Sequence, residues 1–217
     1  MDPGTIAVDL ALVLVAYLTG SIPVGVMVAR FSGGPDPRTV GSGRTGGTNA
    51  LRALGRKWAT VVVVGDLLKG VLPVVLARVV TGQPVVEVAC AFAAVVGASR
   101  SVFLGFGGGR GVGTGVGTML VIQPLALLIA GPVFVIVILI TRYVSLGSLL
   151  ASAAMFPAMG LIWLVASGAV PPAYLVYAAA GPALIWLAHA DNIDRLLHGT
   201  ERKFDLGLLG GRRSSQG

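Results

Sequence analysis

Long apolar stretches separated by short polar segments are the dominant pattern along this chain. The first stretch, residues 6–28, exceeds twenty residues and is long enough to cross a bilayer as a helix. The first basic residue is Arg30, so the stretch lacks the basic start of a cleavable signal peptide and we expect it to be retained. Further apolar stretches lie at about 58–80, 85–104, 114–131, 131–150, 151–168 and 171–189.

This pattern predicts an all-α integral membrane protein with about seven transmembrane helices. Merging the later stretches gives a five-span alternative. The composition agrees with a membrane protein, since 55% of the residues are apolar, 12% are charged and the mean hydropathy is +0.87. These values exclude a soluble enzyme. Cys90 is the one cysteine, so the chain forms no internal disulfide.

Basic residues are concentrated in two segments, with six at 30–57 and five at 195–213. The positive-inside rule assigns both segments to the cytoplasm, which predicts an outside N-terminus and a cytoplasmic C-terminus. The net charge of +7 therefore reflects topology and does not indicate nucleic-acid binding. The glycine-rich stretch 97–113 is too long for the connections that seven spans leave, so we expect a re-entrant turn on the cytoplasmic side.

The first polar segment of interest is 41–52, which is rich in glycine, hydroxyl and amide groups. Residues 41–46 match the pattern G-x-G-x-x-G, but no strand precedes them, so a dinucleotide fold is not indicated. What remains is a flexible turn followed by Arg52, which can direct donors at an anion. A solvated loop is the alternative interpretation.

Two further segments carry unusual polar groups. Asp66 and Lys69 lie three residues apart inside an apolar stretch, where opposite charges share one helix face and mark either a functional site or a structural ion pair. Residues 107–111 supply glycine amides and Arg110 before a helix, as in a phosphate cradle. Close packing of helices is the alternative role for the glycines at 111, 113, 115 and 117.

The remaining polar groups occur late in the chain. Residues 142–146 interrupt two apolar stretches, and His189, Asn192 and Glu201 follow the last one. A polar helix end is the simplest explanation for His189. The predicted topology, however, puts these groups on the cytoplasmic side together with the two glycine-rich turns, where all could converge on one phosphate-bearing substrate.

In this order the segments resemble the bacterial acyl-phosphate:glycerol-3-phosphate acyltransferase family. The resemblance covers about residues 16–204, and several motifs in sequence make it specific. The segments that carry it are 20–23, 41–52, 66–70, 106–112, 143–146 and 189–201.

The resemblance implies a membrane enzyme that transfers a fatty acyl group from acyl phosphate to the 1-hydroxyl of glycerol 3-phosphate, an early step of phospholipid synthesis. It implies a multi-pass protein of the cell membrane with its site facing the cytoplasm. Its partners would be these two substrates and membrane lipids, with no metal, cofactor or nucleic acid. The implied catalytic residues are Ser42, Arg52, His189, Asn192 and Glu201. The implied substrate-binding residues are Thr48, Asn49, Asp66, Lys69, Gly108, Gly109, Arg110, Gly111 and Ser145.

The chain also departs from the family pattern. Ala98 stands where the family has a histidine, Arg44 replaces an asparagine, Gly47 an alanine, and Gly107 and Arg110 replace lysines. An arginine keeps the charge of lysine but presents a planar fork. These differences identify a divergent member. We expect residues 1–205 to form a single transmembrane domain and 206–217 a disordered cytoplasmic tail.

The preferred mechanism is direct attack of the acceptor hydroxyl on the acyl carbon, with the proton taken by His189 or by a phosphate oxygen of the acceptor. An acyl-enzyme on Ser42 is disfavoured, because no acidic residue can be assigned to complete a triad. Two other functions remain as alternatives: a transporter or flippase for a small phosphorylated solute, and an acyltransferase paralogue with another donor.

Overall fold

The computed structural model describes residues 2–166, 170–205 and 207. This part of the chain is helical and contains no strand, in agreement with the predicted all-α class. One isolated antiparallel bridge pairs Ser101 with Gly107. The helices are α1 Pro3–Ser21, α2 Val24–Ser32, α3 Gly47–Thr81, α4 Pro84–Ser99, α5 Val112–Ile122, α6 Pro124–Thr141, α7 Val144–Val165, α8 Pro172–Ala188 and α9 Ala190–Leu197.

Four of these helices are long and apolar enough to cross a membrane, namely α1, α3, α6 and α7. Helices α8 and α9 together make a fifth candidate, bent by 70° between them. Helices α4 and α5 are also apolar but shorter. Four to five spans are therefore supported by length and composition, and the count of seven stays a prediction that requires α4 and α5 to cross as well.

Several predicted span limits are wrong. The stretch 6–28 is divided at Pro23, which separates α1 from α2. The predicted division at residue 131 falls inside α6, which begins at Pro124 because proline fits the first turn of a helix and has no N–H to satisfy. Helix α6 ends where Arg142 adopts a left-handed conformation with φ 62°. The tail 206–217 lies outside the described residues except for residue 207.

Glycines allow two pairs of helices to touch through their backbones. A Cβ atom at Gly20 of α1 would overlap the carbonyl of Ala94, and one at Gly97 of α4 would overlap that of Tyr17. In the same way, Gly70 of α3 faces the carbonyl of Thr114, and Gly117 of α5 faces that of Leu67. Part of the glycine excess therefore permits close helix packing.

Two breaks in the helices set the geometry of the site. Gly55 inside α3 has φ 78° and ψ 178°, which separates the first two turns of α3 from its apolar remainder. His189 lies at the bend between α8 and α9, outside both helices. The polar residues on either side of these breaks are thereby directed away from the long helices and toward one another.

A buried polar cluster joins the end of α3 to the starts of α4 and α8. Arg78 donates to Oε2 of Glu87 from Nε at 3.0 Å and from Nη2 at 2.7 Å, and the hydroxyl of Tyr174 donates to the same oxygen at 2.7 Å. Glu87 is only 2% exposed. These bonds satisfy the buried carboxylate, so the cluster ties three helices together.

We predict that Gly117→Ala destabilises the protein by roughly 1–3 kcal/mol, because the added methyl group forces α5 away from the backbone of α3. Gly160→Ala is the matched control, since a Cβ atom at Gly160 of α7 meets no atom within 4 Å. Thermal unfolding in detergent measures both variants. Equal stabilities of the two variants would contradict the role assigned to the α3–α5 contact.

Candidate anion-binding site

One cavity of about 380 Å³ collects groups from five of the six segments singled out in the sequence, namely 41–52, 66–70, 106–112, 143–146 and 189–201, but not from 20–23. Its wall is formed by the loop before α3, the first half of α3, the turn before α5, the start of α7, the α8–α9 bend and the C-terminal segment. The predicted residues that line it are Ser42, Thr48, Asn49, Arg52, Asp66, Lys69, Gly109, Arg110, Gly111, Ser145, His189, Asn192 and Glu201.

Gly108 is the one predicted residue that does not line this cavity. A Cβ atom at Gly108 would lie 2.7 Å from the carbonyl oxygen of Ala98, so this glycine lets the turn pack against the end of α4. The amide of Gly109 donates to the same oxygen at 3.0 Å. Gly108 therefore positions the turn and does not contact the cavity.

Asn49 holds the loop before α3 in place. Its Nδ2 donates to the carbonyls of Pro37, Val40 and Arg44 at 2.6–3.0 Å, and its Oδ1 accepts from the amide of Ser42 at 3.1 Å. The side chain is 3% exposed. Because all of these partners are backbone groups of the loop, Asn49 has a structural role here, and its substrate-binding role stays a prediction.

Gly41 explains why this loop needs glycine next to Asn49. Its φ is 57°, a left-handed conformation that other residues rarely adopt, and a Cβ atom there would overlap Oδ1 of Asn49. The loop thus turns tightly around the Asn49 amide and brings Ser42 to the cavity wall.

The intramembrane pair of Asp66 and Lys69 meets on one helix face, as the spacing predicts, with Nζ of Lys69 3.0 Å from Oδ1 of Asp66. The same Nζ donates to the carbonyl of Ile22 at 3.2 Å. That carbonyl lies at the break between α1 and α2. Lys69 therefore stabilises this break while its charge is offset by Asp66.

The start of α5 contributes backbone donors. Gly111 precedes the helix with φ 72°, and residues 111–114 all line the cavity. The first amides of a helix have no acceptor within the helix and, with the helix dipole, favour an anion. Arg110 lies immediately before them. Its burial lowers the pKa of its guanidinium, and the nearby carboxylate of Asp191 partly opposes that effect.

Glu201 organises one side of the cavity. Its Oε1 accepts from Oγ of Ser145 at 3.1 Å and from Nδ2 of Asn192 at 2.7 Å, and its Oε2 accepts from Nε of Arg195 at 2.9 Å. These bonds connect the start of α7, helix α9 and the C-terminal segment. Glu201 thus uses both oxygens to hold these elements together, and its catalytic role stays a prediction.

Asn192 is left with one unused acceptor. Its Oδ1 is buried and has no hydrogen-bond partner among the described residues. The orientation of the amide is set by Glu201, because a carboxylate can only accept. Asn192 itself lines the cavity, so a ligand hydroxyl group is one donor that could satisfy this acceptor.

His189 is buried to 1% exposure, and its Nδ1 lies 2.8 Å from the carbonyl oxygen of Ile185. Because a carbonyl only accepts, Nδ1 carries the proton and Nε2 keeps its lone pair. Burial lowers the pKa of His189 to about 4. The imidazole is thus neutral at physiological pH, and Nε2 has no hydrogen-bond partner in the described part of the chain.

Two arginines in the wall are not engaged by acidic groups. Within the described residues, neither Arg52 nor Arg202 forms an ion pair or a side-chain hydrogen bond. A guanidinium fork of this kind matches a phosphate in two-point contact. Arg202 was not predicted, and no signal in the sequence distinguishes it from its neighbour Lys203.

The sequence also missed other wall residues, among them Arg195. This residue follows Asn192 by three positions, as Asn192 follows His189, so helical spacing would have found it on the same face. Asp191 was missed as well. It does not line the cavity but pairs with three arginines that do, Arg44, Arg110 and Arg195.

An apolar groove of about 390 Å³ adjoins the polar cavity. Its walls come from α4 to α8 and include Val95, Met119, Leu127, Ala151, Met155 and Tyr177. Val112, Phe134 and Ser148 line both spaces, so the groove and the cavity meet at these three residues. The combined site can hold a molecule with an anionic head and an apolar tail.

Comparison with known proteins finds the same family throughout. A family profile described as glycerol-3-phosphate acyltransferase matches residues 10–199. The glycerol-3-phosphate acyltransferase of Rubrobacter xylanophilus is 40% identical over 209 residues, which cover 96% of this chain and 99% of that one. The glycerol-3-phosphate acyltransferase of Myxococcus xanthus is 45% identical over 195 residues, covering 89% and 98%.

Two solved structures of a glycerol 3-phosphate acyltransferase are similar to this chain. The crystal structure of PlsY (YgiH), an integral membrane glycerol 3-phosphate acyltransferase, in its glycerol 3-phosphate form has a TM-score of 0.83 and 38% identity, and covers 94% of this chain and 99% of that one. The lysophosphatidic acid form of the same protein has a TM-score of 0.82 and 37% identity, with the same coverage.

The buried, neutral state of His189 predicts a pH-dependent contribution to stability. Its pKa of about 4 in the folded protein lies below the value of about 6.5 expected for an unfolded chain, so only the unfolded chain gains a proton as the pH falls from 6.5 to 4. The loss of stability over that interval amounts to about 3 kcal/mol, at ~1.4 kcal/mol for each pKa unit.

We therefore expect the stability advantage of the wild type over His189→Gln to shrink as the pH is lowered from 7.5 to 5. Equilibrium unfolding in detergent at both pH values measures it. An advantage that stays constant with pH would show that His189 is not held neutral by burial.

Proposed function

The chain belongs to the glycerol-3-phosphate acyltransferase family, and we propose that it transfers a fatty acyl group from acyl phosphate to the 1-hydroxyl of glycerol 3-phosphate. The products are 1-acyl-glycerol 3-phosphate, which is a lysophosphatidic acid, and inorganic phosphate. The observation that carries the proposal is the junction of a cationic cavity with an apolar groove at Val112, Phe134 and Ser148. Acyl phosphate has an anionic head and an apolar tail, so it fits both spaces at once.

The phosphate groups of both substrates would bind in the cationic cavity. Arg52 and Arg202 have no carboxylate partner in the described residues and can each meet a phosphate with two N–H donors. The first amides of α5, together with Arg110, supply a second anchor. Two separate sets of donors suit a reaction in which donor and acceptor each carry a phosphate.

The acyl chain of the donor would lie in the apolar groove between α4 and α8. Phe134 and Ser148 at the junction then lie near the acyl carbon, where the polar head meets the apolar tail. Transfer of such a chain out of water is favourable by about 0.8 kcal/mol for each buried CH₂ group. This energy holds the donor while the acceptor enters from the polar side.

In the reaction, the 1-hydroxyl oxygen of the acceptor attacks the acyl carbon, and the bond from that carbon to the phosphate oxygen breaks. The hydroxyl proton passes to Nε2 of His189 or to a phosphate oxygen of the acceptor. The unused Oδ1 of Asn192 would accept a hydrogen bond from a glycerol hydroxyl and orient it. The guanidinium groups stabilise the charge on the departing phosphate.

An acyl-enzyme on Ser42 is less well supported. Ser42 donates its backbone amide to Asn49, but its hydroxyl forms no hydrogen bond with His189 or with any other described residue. A serine nucleophile needs an adjacent base to be activated. Direct transfer therefore suits the observed geometry better.

For the topology we propose seven spans, with the N-terminus outside and the site facing the cytoplasm. Helix α5 has 11 residues and is about 16 Å long at 1.5 Å per residue, about half of a ~30 Å hydrocarbon core. A re-entrant turn at 97–113 accounts for this short helix, because the turn would bring the start of α5 part way into the membrane. The many basic residues around the cavity favour the cytoplasmic side.

The central test uses purified protein in detergent or lipid mesophase, supplied with acyl phosphate and labelled glycerol 3-phosphate. We expect one labelled lysophosphatidic acid for each phosphate released, and no product when acyl-CoA replaces acyl phosphate.

Arg52→Ala should lose activity by roughly 100-fold, because a donor to the transition-state charge is removed. Arg56→Ala is the control and should remain active, because Arg56 is an exposed arginine beyond the break at Gly55 and outside the cavity. Release of phosphate without formation of labelled lipid would contradict the proposed acyl transfer.

The groove assignment predicts a chain-length effect. Ala151→Phe places a ring in the groove and should reduce kcat/KM for a long acyl phosphate by about tenfold or more, with a smaller effect on a short one. Ala153→Phe on the exposed face of the same helix is the control and should behave like the wild type. An equal loss for short and long donors in Ala151→Phe would argue that the acyl chain lies elsewhere.

A further inference from the structure

Asp191 occupies a singular position beside the cavity. Its three ion-pair partners, Arg44, Arg110 and Arg195, all line the cavity, whereas Asp191 does not. The carboxylate therefore does not border the space that a ligand would fill, and it contacts that space through these three arginines.

The three contacts differ in kind. Oδ2 accepts a hydrogen bond from Nη2 of Arg110 at 3.1 Å and from Nη2 of Arg195 at 3.1 Å. Oδ1 is buried without a hydrogen-bond partner, and Nη2 of Arg44 lies 3.5 Å from it as an ion pair. Arg44 is thus attracted by charge alone and keeps its N–H donors available for a ligand.

These contacts connect three separate segments. Arg44 belongs to the loop before α3, Arg110 to the turn before α5, and Arg195 to α9, the helix of Asp191 itself. Although burial raises the pKa of Asp191, the surrounding arginines outweigh that effect and lower it, so the carboxylate is charged at physiological pH. A single carboxylate therefore forms ion pairs with three arginines.

The balance of charge in the cavity shows why the pairing of one carboxylate with three arginines matters. The lining side chains include the cations Arg44, Arg52, Lys69, Arg110, Arg195 and Arg202. Two carboxylates line the cavity with them, Asp66 and Glu201. A wall with such an excess of positive charge binds a phosphate group tightly before reaction and also after it, which slows the release of a phosphate product.

We infer that Asp191 is a positioning residue that sets the phosphate affinity of the cavity: it orients Arg44 and Arg110 toward a ligand and offsets their charge, so that inorganic phosphate can dissociate after acyl transfer. This inference rests on the proposed function, in which phosphate is the leaving group. A charge a few ångströms behind the cavity wall acts on a phosphate dianion through a partly desolvated medium, where electrostatic effects exceed those in water.

The test measures the binding of inorganic phosphate by calorimetry and its inhibition of acyl transfer. Asp191→Asn removes the charge and keeps the shape, so we expect phosphate to bind about tenfold more tightly. KM for glycerol 3-phosphate and kcat should then fall together, as expected when the variant releases its more tightly bound phosphate slowly enough to limit turnover. The dependence of phosphate binding on salt should become steeper, since more of the arginine charge is uncompensated.

Two controls separate this effect from a structural one. Asp191→Glu keeps the charge and should restore phosphate affinity to within about threefold of the wild type. Asp194→Asn removes the same charge from the same helix at an exposed position and should leave phosphate affinity unchanged. If Asp191→Asn is not recovered folded, Asp191→Ser removes the charge as well and carries the same expectation.

The outcomes are distinct. Weaker or unchanged phosphate binding in Asp191→Asn, or in Asp191→Ser, overturns the inference, and so does a wild-type protein that binds no inorganic phosphate. A wild-type protein that binds phosphate, with tighter binding in Asp191→Asn, but forms no acylated glycerol 3-phosphate, overturns the proposed function and leaves the anion tuning by Asp191 in place.

Discussion

Mutual repulsion among closely spaced cations is the constraint on which the rest of this site depends. Six cationic side chains line a cavity of about 380 Å³, and each would destabilise the others without a nearby anion. Asp66, Asp191 and Glu201 offset part of this charge. Asp66 pairs within α3, whereas Asp191 and Glu201 also join segments that are distant in sequence, so neutralising those arginines and assembling that part of the site are one event. A phosphate bound there, as proposed, would complete the balance that the protein leaves open.

Backbone contact between helices provides the second condition for this architecture. Gly70 and Gly117 bring α3 and α5 together closely enough for the short helix α5 to present its first turn beside Asp66. The apolar groove lies along the other side of α5. A single short helix therefore borders both the cationic cavity and the apolar groove, which is the arrangement that a reaction between a water-soluble acceptor and an amphiphilic donor requires.

Several expectations from sequence survived and others did not, for reasons that can be stated residue by residue. The i,i+3 spacing of Asp66 and Lys69 predicted their contact, because a helix places such residues on one face whatever surrounds them. The glycines between residues 107 and 117 divide between two places, since Gly109 and Gly111 line the cavity while Gly117 packs on α3, and phosphate binding by the first two stays a prediction. The helix limits around Pro124 were wrong because apolar content continues across a proline that begins a new helix.

By itself the sequence determined the helical membrane class and most of the polar residues of the site, because charge and glycine are so costly in apolar helices that their positions stand out. Only the tertiary structure decided which polar atoms remain available to a ligand. It commits the amide of Asn49 to its own loop and both oxygens of Glu201 to neighbouring donors. It leaves Arg52 and Oδ1 of Asn192 without partners in the described residues. The physical reason is that availability depends on hydrogen-bond partners from segments far apart in the chain, and no local pattern records them.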